Sequence, residues 1–371
     1  MNIAFVLSTR PEIIKLSPLI NLLKKEKKIN LYILNTNQHF SKRMSKVFFD
    51  FFKITAKTYN LRISRKNQHI FLSESIHKIS KFLKKKIPDF VIIQGDTNTS
   101  LAGCLSASLV NRNIKECKKI KIAHIESGLR SFDDSMPEEI NRKIIDRLSN
   151  ILFIPTKFDY ENLKKENCLV DKKFYIVGNT ISDVIKKYLS QSKKSKILNK
   201  LNLKKKNFFL ITMHRPESVD IFKNLNKLNL ILNSIISQYD YDIVFPIHPR
   251  TQTKLRKFKV KLNKKIKIIN PIEYLDFIKL IKEAKILLTD SGGLQEEAAI
   301  IGTPCITIRT TTERQITEIK KVNKIIGYDK NKLLKAIRFF MNNKVSPLKD
   351  FGNGFVSKKI LKILKLNYKK I

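Results

Sequence analysis

Short apolar runs alternate along the chain with longer segments in which apolar residues recur every three or four positions. Asn2–Leu7, Leu31–Asn35, Phe90–Gln94, Ile120–Ile125, Ile151–Ile154 and Phe174–Val177 read as strands. Pro11–Glu26, Ser41–Phe52, Phe71–Lys84, Thr97–Val110, Pro137–Ser149 and Lys157–Lys165 read as helices between them. A second strand series follows, with intervening helices: Phe208–Thr212, Ile243–Ile247, Ile266–Ile269, Ile286–Thr289 and Cys305–Ile308. This alternation predicts an α/β protein with two doubly wound parallel sheets covered by helices on both faces. The lysine- and serine-rich stretch Ser190–Lys206 separates the two series. The expected domains are therefore 1–189 and 207–354, and the helical 355–371 rejoins the first by analogy with this architecture.

In doubly wound sheets, ligands bind beyond the carboxyl ends of the strands. Thr9–Arg10, Gly95–Asp96–Thr97, Glu126–Ser127–Gly128, Gly178–Asn179, His214–Arg215, His248–Pro249 and Asp290–Ser291–Gly292–Gly293 each directly follow a predicted strand. Read as stability features they are caps and turns. Read together, they predict a site in a cleft between two domains.

With 42% apolar and 29% charged residues in 371, the chain is globular and not disordered. No apolar run approaches the roughly 18 residues that span a bilayer, and the N-terminal apolar stretch is too short for a signal peptide. A cytoplasmic place without a membrane partner is expected. Cys104, Cys117, Cys168 and Cys305 show no CxxC or metal-type spacing, and read as reduced, buried thiols. The net charge of +42 first suggests a polyanion partner. It comes, however, from 60 lysines spread over the whole chain against 14 arginines. Lysine, isoleucine and asparagine are together abundant, as A/T-rich codons produce. Arginine forks for bases and aromatics interleaved with basic residues are both missing, so nucleic acid is not expected. Arg10, Arg130, Arg142, Arg215, Arg250, Arg309 and Arg314 instead lie in segments that are not lysine-rich, which hints at planar recognition of anions.

Lys285–Thr289, the turn Asp290–Gly293 and Leu294–Gly302 form a strand, glycine turn and helix start. Backbone amides there suit a diphosphate, with Gly292 and Gly293 allowing close approach. The pattern is neither GxGxxG nor a P-loop, which removes support for nicotinamide cofactors and ATP hydrolysis. Glu296 and Glu297 would repel phosphate, so a ribose diol is the better match; acidic residues also simply suit a helix start. Arg10, Lys15, His214 and Arg314 are the cationic groups that would converge on a diphosphate leaving group. Asp96, Glu126 and Glu138 are carboxylates suited to proton transfer beside it, and no metal-ligand spacing accompanies them.

The segments STRPEIIKLSPLI, TNQHFS, QGDTNTSLAG, HIESGLRSFDDSMPEEINR, VGNTISD, MHRPES, PIHPRT, DSGGLQEEA and RTTTER, in this order from Asn2 to about Gly327, resemble the non-hydrolysing UDP-N-acetylglucosamine 2-epimerase family. The resemblance implies two Rossmann-like domains in the glycosyltransferase-B arrangement with UDP in the cleft, a homodimer and no redox cofactor; polysaccharide biosynthesis, as capsule, cell-surface or glycan precursor supply, is the expected setting, and no metal is expected from the spacing. It implies reversible conversion of UDP-GlcNAc to UDP-ManNAc by elimination of UDP to a 2-acetamidoglucal and its re-addition. Asp96, Glu126 and Glu138 match the family's acid/base carboxylates; His214 and Arg10, with Lys15, match groups near the diphosphate. Ser291 matches a phosphate position, with Gly292 and Gly293 in the same turn. Glu297 matches a ribose position and Arg314 a nucleotide-binding one, and Phe277 falls where the family packs and hydrogen-bonds uracil through backbone. Ser8 stands where the family usually has glycine, Ser218 where it has asparagine, Gln315–Ile316 where it has Pro-Glu, and Lys321 where it has glycine. Bacterial members bind a second UDP-GlcNAc near the loop corresponding to Gln38–His39; the following residues differ here, and that regulation is not expected. Alternatives are a related UDP-sugar such as a diacetamido uronic acid, hydrolysis to free ManNAc, a glycosyltransferase on the same fold, and a basic polyanion binder. A transferase needs an acceptor site but not three carboxylates, and a polyanion binder shows salt-dependent binding that UDP does not displace.

Overall fold

The apolar runs build two separate parallel sheets. The structure is a computed structural model and describes residues 1–37, 42–64, 67–115 and 119–368, with 42–46 as backbone only. Cys117, Lys369 and the Gln38–His39 loop lie outside these residues. The chain divides into two units, Met1–Val184 with Asp350–Ile371, and Ile185–Lys349.

The first unit contains β1 (Asn2–Leu7), β2 (Asn30–Asn35), β3 (Lys57–Asn60), β4 (Phe90–Gln94), β5 (Lys121–Ile125), β6 (Ile151–Ile154) and β7 (Lys173–Ile176), in the order β3-β2-β1-β4-β5-β6-β7. The central strands β1 and β4 run parallel, with Ala4 opposite Val91, and are buried on both faces, which is why they read as unbroken apolar runs. The order reverses between β1 and β4, so the loops after them flank the switch point where doubly wound folds bind ligands. The second unit repeats the plan with β8 (Phe208–Thr212), β9 (Asp242–Pro246), β10 (Ile266–Ile269), β11 (Ile286–Thr289), β12 (Cys305–Thr307) and β13 (Asn323–Ile325), ordered β10-β9-β8-β11-β12-β13. Its switch point lies between β8 and β11.

Two strands carry no apolar signal and were not expected. Both β3, with sequence Lys-Thr-Tyr-Asn, and β13, with Asn-Lys-Ile, are short sheet edges, where polar side chains are accommodated and an apolar run is unnecessary. The stretch Ser190–Lys206 is not an extended linker. Ile197, Leu198 and Leu203 are buried against Phe208 and Phe277 in the second unit's core, so its lysines decorate a short helical element. The helix Val356–Tyr368 joins the first unit through Asp183, whose carboxylate accepts from the N–H groups of Val356 (2.8 Å) and Ser357 (2.7 Å). Lys321, at the usual glycine position, takes φ +57°, so the left-handed backbone is kept without glycine.

Gly178 has φ +99°, and a Cβ there would sit 2.7 Å from the Phe351 carbonyl oxygen. Gly178→Ala is expected to lower unfolding free energy by about 2 kcal/mol or more, read as a drop in urea midpoint. An unchanged midpoint would contradict that packing. Among the described residues, no helix is long and apolar enough to cross a membrane.

Candidate active site

In the first unit, three strand ends meet on one carboxylate. Glu126 directly follows β5 and takes φ +76°, a left-handed conformation that costs a non-glycine residue about 1–3 kcal/mol. Its Oε2 accepts from Lys15 Nζ (2.6 Å), from Gln94 Nε2 at the end of β4 (2.6 Å) and, at 3.4 Å, from Asn179 Nδ2 after β7. Lys15 and Glu126 are both buried. Lys15, expected beside a diphosphate, is therefore engaged by Glu126 and balances its charge.

Lys15 gets there because the helix Arg10–Lys24 starts at the end of β1. Its first turn is fixed by Glu12, whose carboxylate accepts from the N–H groups of Ser8 (3.0 Å) and Thr9 (2.6 Å) and from the Thr97 hydroxyl (2.8 Å). Glu12 thus ties the loop after β1 to the loop after β4. Full burial pushes its carboxyl up, against the pull of these donors. The Arg10 guanidinium lies 4.8 Å over the Phe48 ring.

Asp96, half-buried after β4, is held by Arg142, whose other nitrogen holds Glu139. Asn141 donates to the Asp96 carbonyl (2.8 Å). Glu139 also accepts from Ser131 and the Phe132 N–H, so it is the orienting carboxylate of this helix, Pro137–Leu148. Its neighbour Glu138, the residue the sequence points to, is half-buried and makes no hydrogen bond or ion pair to the described residues. Glu139 was missed, although its spacing of three from Arg142 on one helix face was a readable signal.

In the second unit, His214 follows β8 and Asp290 follows β11. Asp290 Oδ2 accepts from the backbone N–H groups of His214 (2.9 Å) and Arg215 (2.8 Å), while Oδ1 lies 3.1 Å from His214 Nδ1. Burial works to raise the Asp290 carboxyl, but His214 and the two amides hold it below the usual range. The His214 side chain stays 40% exposed, so the ring is fixed at Nδ1 by a buried partner and open to ligand.

Ser291 is the N-cap of the helix Gly292–Ile301, which Gly292 and Gly293 open. A Cβ on Gly292 would overlap the Glu313 carboxylate, whereas one on Gly293 meets nothing within 4 Å. Gly293 thus leaves the helix start open to a bulky anion. The two adjacent glutamates divide their roles. Glu296 is fully buried and accepts from Arg314 Nε (2.9 Å); Glu297 lies near the Tyr274 hydroxyl (3.5 Å). Arg314 Nη1 is also 3.1 Å from Glu313, which Arg309 holds at 2.9 Å. Phe277 is packed in the core, and its N–H donates to the Glu273 carbonyl (3.0 Å) inside the helix Tyr274–Glu283.

Acid stability follows from these carboxylates. Asp290, and Asp146 beside His124 and Arg130, both have folded pKa values below their unfolded ones. Their contribution is therefore complete above the ordinary value near 4 and is lost as pH falls through the lower folded values. Glu12, shifted the other way, opposes them as pH rises. Asp290→Asn is expected to flatten the fall in urea midpoint between about pH 5 and about pH 2. An unaltered acid slope would contradict the placement of Asp290.

Several known proteins resemble this chain in sequence and fold. A profile of the UDP-N-acetylglucosamine 2-epimerase family matches residues 21–365. The chain is 43% identical to the UDP-N-acetylglucosamine 2-epimerase of Methanocaldococcus jannaschii, over 98% of this chain and 99% of that one. It is 32% identical to the UDP-2,3-diacetamido-2,3-dideoxy-D-glucuronate 2-epimerase of Pseudomonas aeruginosa, over 98% of this chain and 99% of that one. The crystal structure of the Methanocaldococcus jannaschii UDP-GlcNAc 2-epimerase in complex with UDP-GlcNAc and UDP superposes with a TM-score of 0.89, covering 99% of this chain and 100% of that one. With the paired Rossmann-like sheets and the carboxylates at their strand ends, a match over nearly the whole length places this chain in the UDP-N-acetylglucosamine 2-epimerase family.

Proposed function

We propose that the chain interconverts UDP-GlcNAc and UDP-ManNAc, with the first unit acting on the sugar and the second holding UDP. The observation that carries this reading is the buried Glu126 carboxylate, set at the strand ends of the first sheet and paired with Lys15. A carboxylate takes the C2 proton, the C1–oxygen bond breaks, and UDP departs as the anion, leaving 2-acetamidoglucal. UDP then re-adds at C1 while a carboxylic acid returns a proton to the opposite face of C2. Atoms and charge balance without a redox cofactor.

The C2 proton is weakly acidic, so the base must be held close and the leaving phosphate stabilised as charge develops. Asp96, Glu126 and Glu138 supply the acid and base. His214, fixed by Asp290, donates toward the departing phosphate with Arg10; Ser291, Gly292 and Gly293 offer hydroxyl and amides, and Glu297 accepts the ribose diol. Arg314 shapes this helix start through Glu296. This reading carries a cytoplasmic homodimer that feeds polysaccharide biosynthesis with an N-acetylmannosamine donor.

Anion-exchange chromatography of purified protein with UDP-GlcNAc tests it, run beside UDP-2,3-diacetamido-2,3-dideoxy-glucuronate. Growth of UDP-ManNAc from the first sugar alone is expected. Turnover of the uronate alone transfers the reading to that substrate, and release of free ManNAc with UDP would replace epimerisation by hydrolysis.

A further inference from the structure

We infer that Glu12 is a positioning residue: it holds the loop carrying Arg10 and the loop carrying Asp96 in register across the switch point of the first sheet, which rests on the roles proposed for those two residues. Glu12 is 1% exposed. Each of its oxygens serves one loop. Oε2 accepts from the N–H groups of Ser8 (3.0 Å) and Thr9 (2.6 Å) after β1. Oε1 accepts from the Thr97 hydroxyl (2.8 Å) after β4 and lies 3.2 Å from the Ser100 hydroxyl in the first turn of the helix Asn98–Asn111. An acidic residue at the third position of a helix commonly reaches back to its own N-cap N–H and stops there. A carboxylate taken out of water persists where donors replace the water. Here the donors to Oε1 stand 85 and 88 positions further along the chain, so this carboxylate does more than cap its own helix.

The groups tied in this way are those assigned to the reaction. Arg10 follows Thr9 in the chain, and Asp96 precedes Thr97. Lys15, three residues beyond Glu12 on the same helix, meets Glu126 at 2.6 Å. The Ser100 hydroxyl donates to the Gln94 carbonyl (2.7 Å), and Gln94 Nε2 donates to Glu126 at 2.6 Å. The two shorter bonds to Glu126 therefore come from opposite sides of the switch point, and Glu12 joins those sides. Asp96 is held from another direction by Arg142, through its carboxylate, and by Asn141, through its carbonyl (2.8 Å). Those bonds fix Asp96 against the helix Pro137–Leu148. Glu12 fixes the same loop against Arg10.

Thr97→Val tests the coupling, because it removes the hydroxyl that Glu12 holds in the second loop and leaves Glu12, Ser8 and Thr9 in place. Amide hydrogen exchange is read on the free, full-length protein, so it stands or falls apart from the choice of sugar. Thr97→Val is expected to speed exchange of the Ser8 and Thr9 N–H groups by about 10-fold or more, although both belong to the other loop. Thr97 also accepts from the Ser100 N–H (3.1 Å) as the cap of its own helix. Faster exchange confined to that helix start would make Thr97 an ordinary cap and overturn the inference.

In turnover of UDP-GlcNAc, Thr97→Val is expected to lower kcat about 100-fold, the scale of a misplacement of about 1 Å, with KM within about threefold. Thr97→Ser, which restores the hydroxyl, is expected to return kcat to within about threefold of the parent. In a Glu12→Ala background, Thr97→Val is expected to add no further loss, since both changes act through one bond. Additive losses, or a folded Thr97→Val variant with the parent kcat, overturn the positioning role. Should Glu12→Ala not fold, the exchange at Ser8 and Thr9 in Thr97→Val decides.

Discussion

Replacing Glu126 by glutamine is expected to suppress exchange of the C2 proton by about 10³-fold or more, the scale of losing a positioned acid or base. An amide does not take a proton from carbon, and Gln94 and Asn179 would face it without an anion to bind. The substitution also removes the buried carboxylate that Lys15 meets at 2.6 Å, which costs about 3–5 kcal/mol when one partner of a buried pair is removed. Activity loss and unfolding must therefore be separated. Lys15→Met combined with Glu126→Gln removes both charges, so it is expected to recover most of the stability while remaining inactive. A stable double variant with parent-level exchange would show that Glu126 is not in the reaction.

The second large effect is expected at Arg314. Arg314→Ala strips Glu296, which is fully buried, of its guanidinium, while Glu313 keeps Arg309. A loss of about 3–5 kcal/mol in unfolding free energy follows from breaking this buried pair. UDP affinity, measured by calorimetry, is expected to fall about 10-fold to 100-fold, because the start of the helix Gly292–Ile301 loses its support. Lysine should not rescue it, since one ammonium cannot serve Glu296 and Glu313 at once as the planar fork does. Arg314→Ala with Glu296→Gln should regain stability. Arg314→Ala with parent stability and parent UDP affinity would contradict this account of the cluster.

The fold was legible where burial dictates the pattern. β1, β4, β6, β8 and β11 lie inside their sheets, need apolar side chains on both faces, and were readable to the residue. The edges β3 and β13 were not, because polar side chains suit an edge. The lysine-rich 190–206 misled for a related reason: three buried apolar residues anchor it, and composition averages them away. In the site, the strand-end rule and the family resemblance singled out Asp96, Glu126 and His214 as candidates, since strand ends are visible in sequence. Partners were harder to see. That Lys15 serves Glu126, that Glu139 and Arg142 aim Asp96, and that Asp290 fixes His214 depend on strand order, which brings residues up to 111 positions apart into contact.

The most direct test of the central claim is proton NMR of the purified protein with UDP-GlcNAc in D2O. The account predicts loss of the C2 proton signal at the rate at which UDP-ManNAc appears, with deuterium at C2 of both sugars at equilibrium and no free sugar. Formation of UDP-ManNAc that keeps its C2 proton, or a spectrum that never changes while UDP binds, would contradict it.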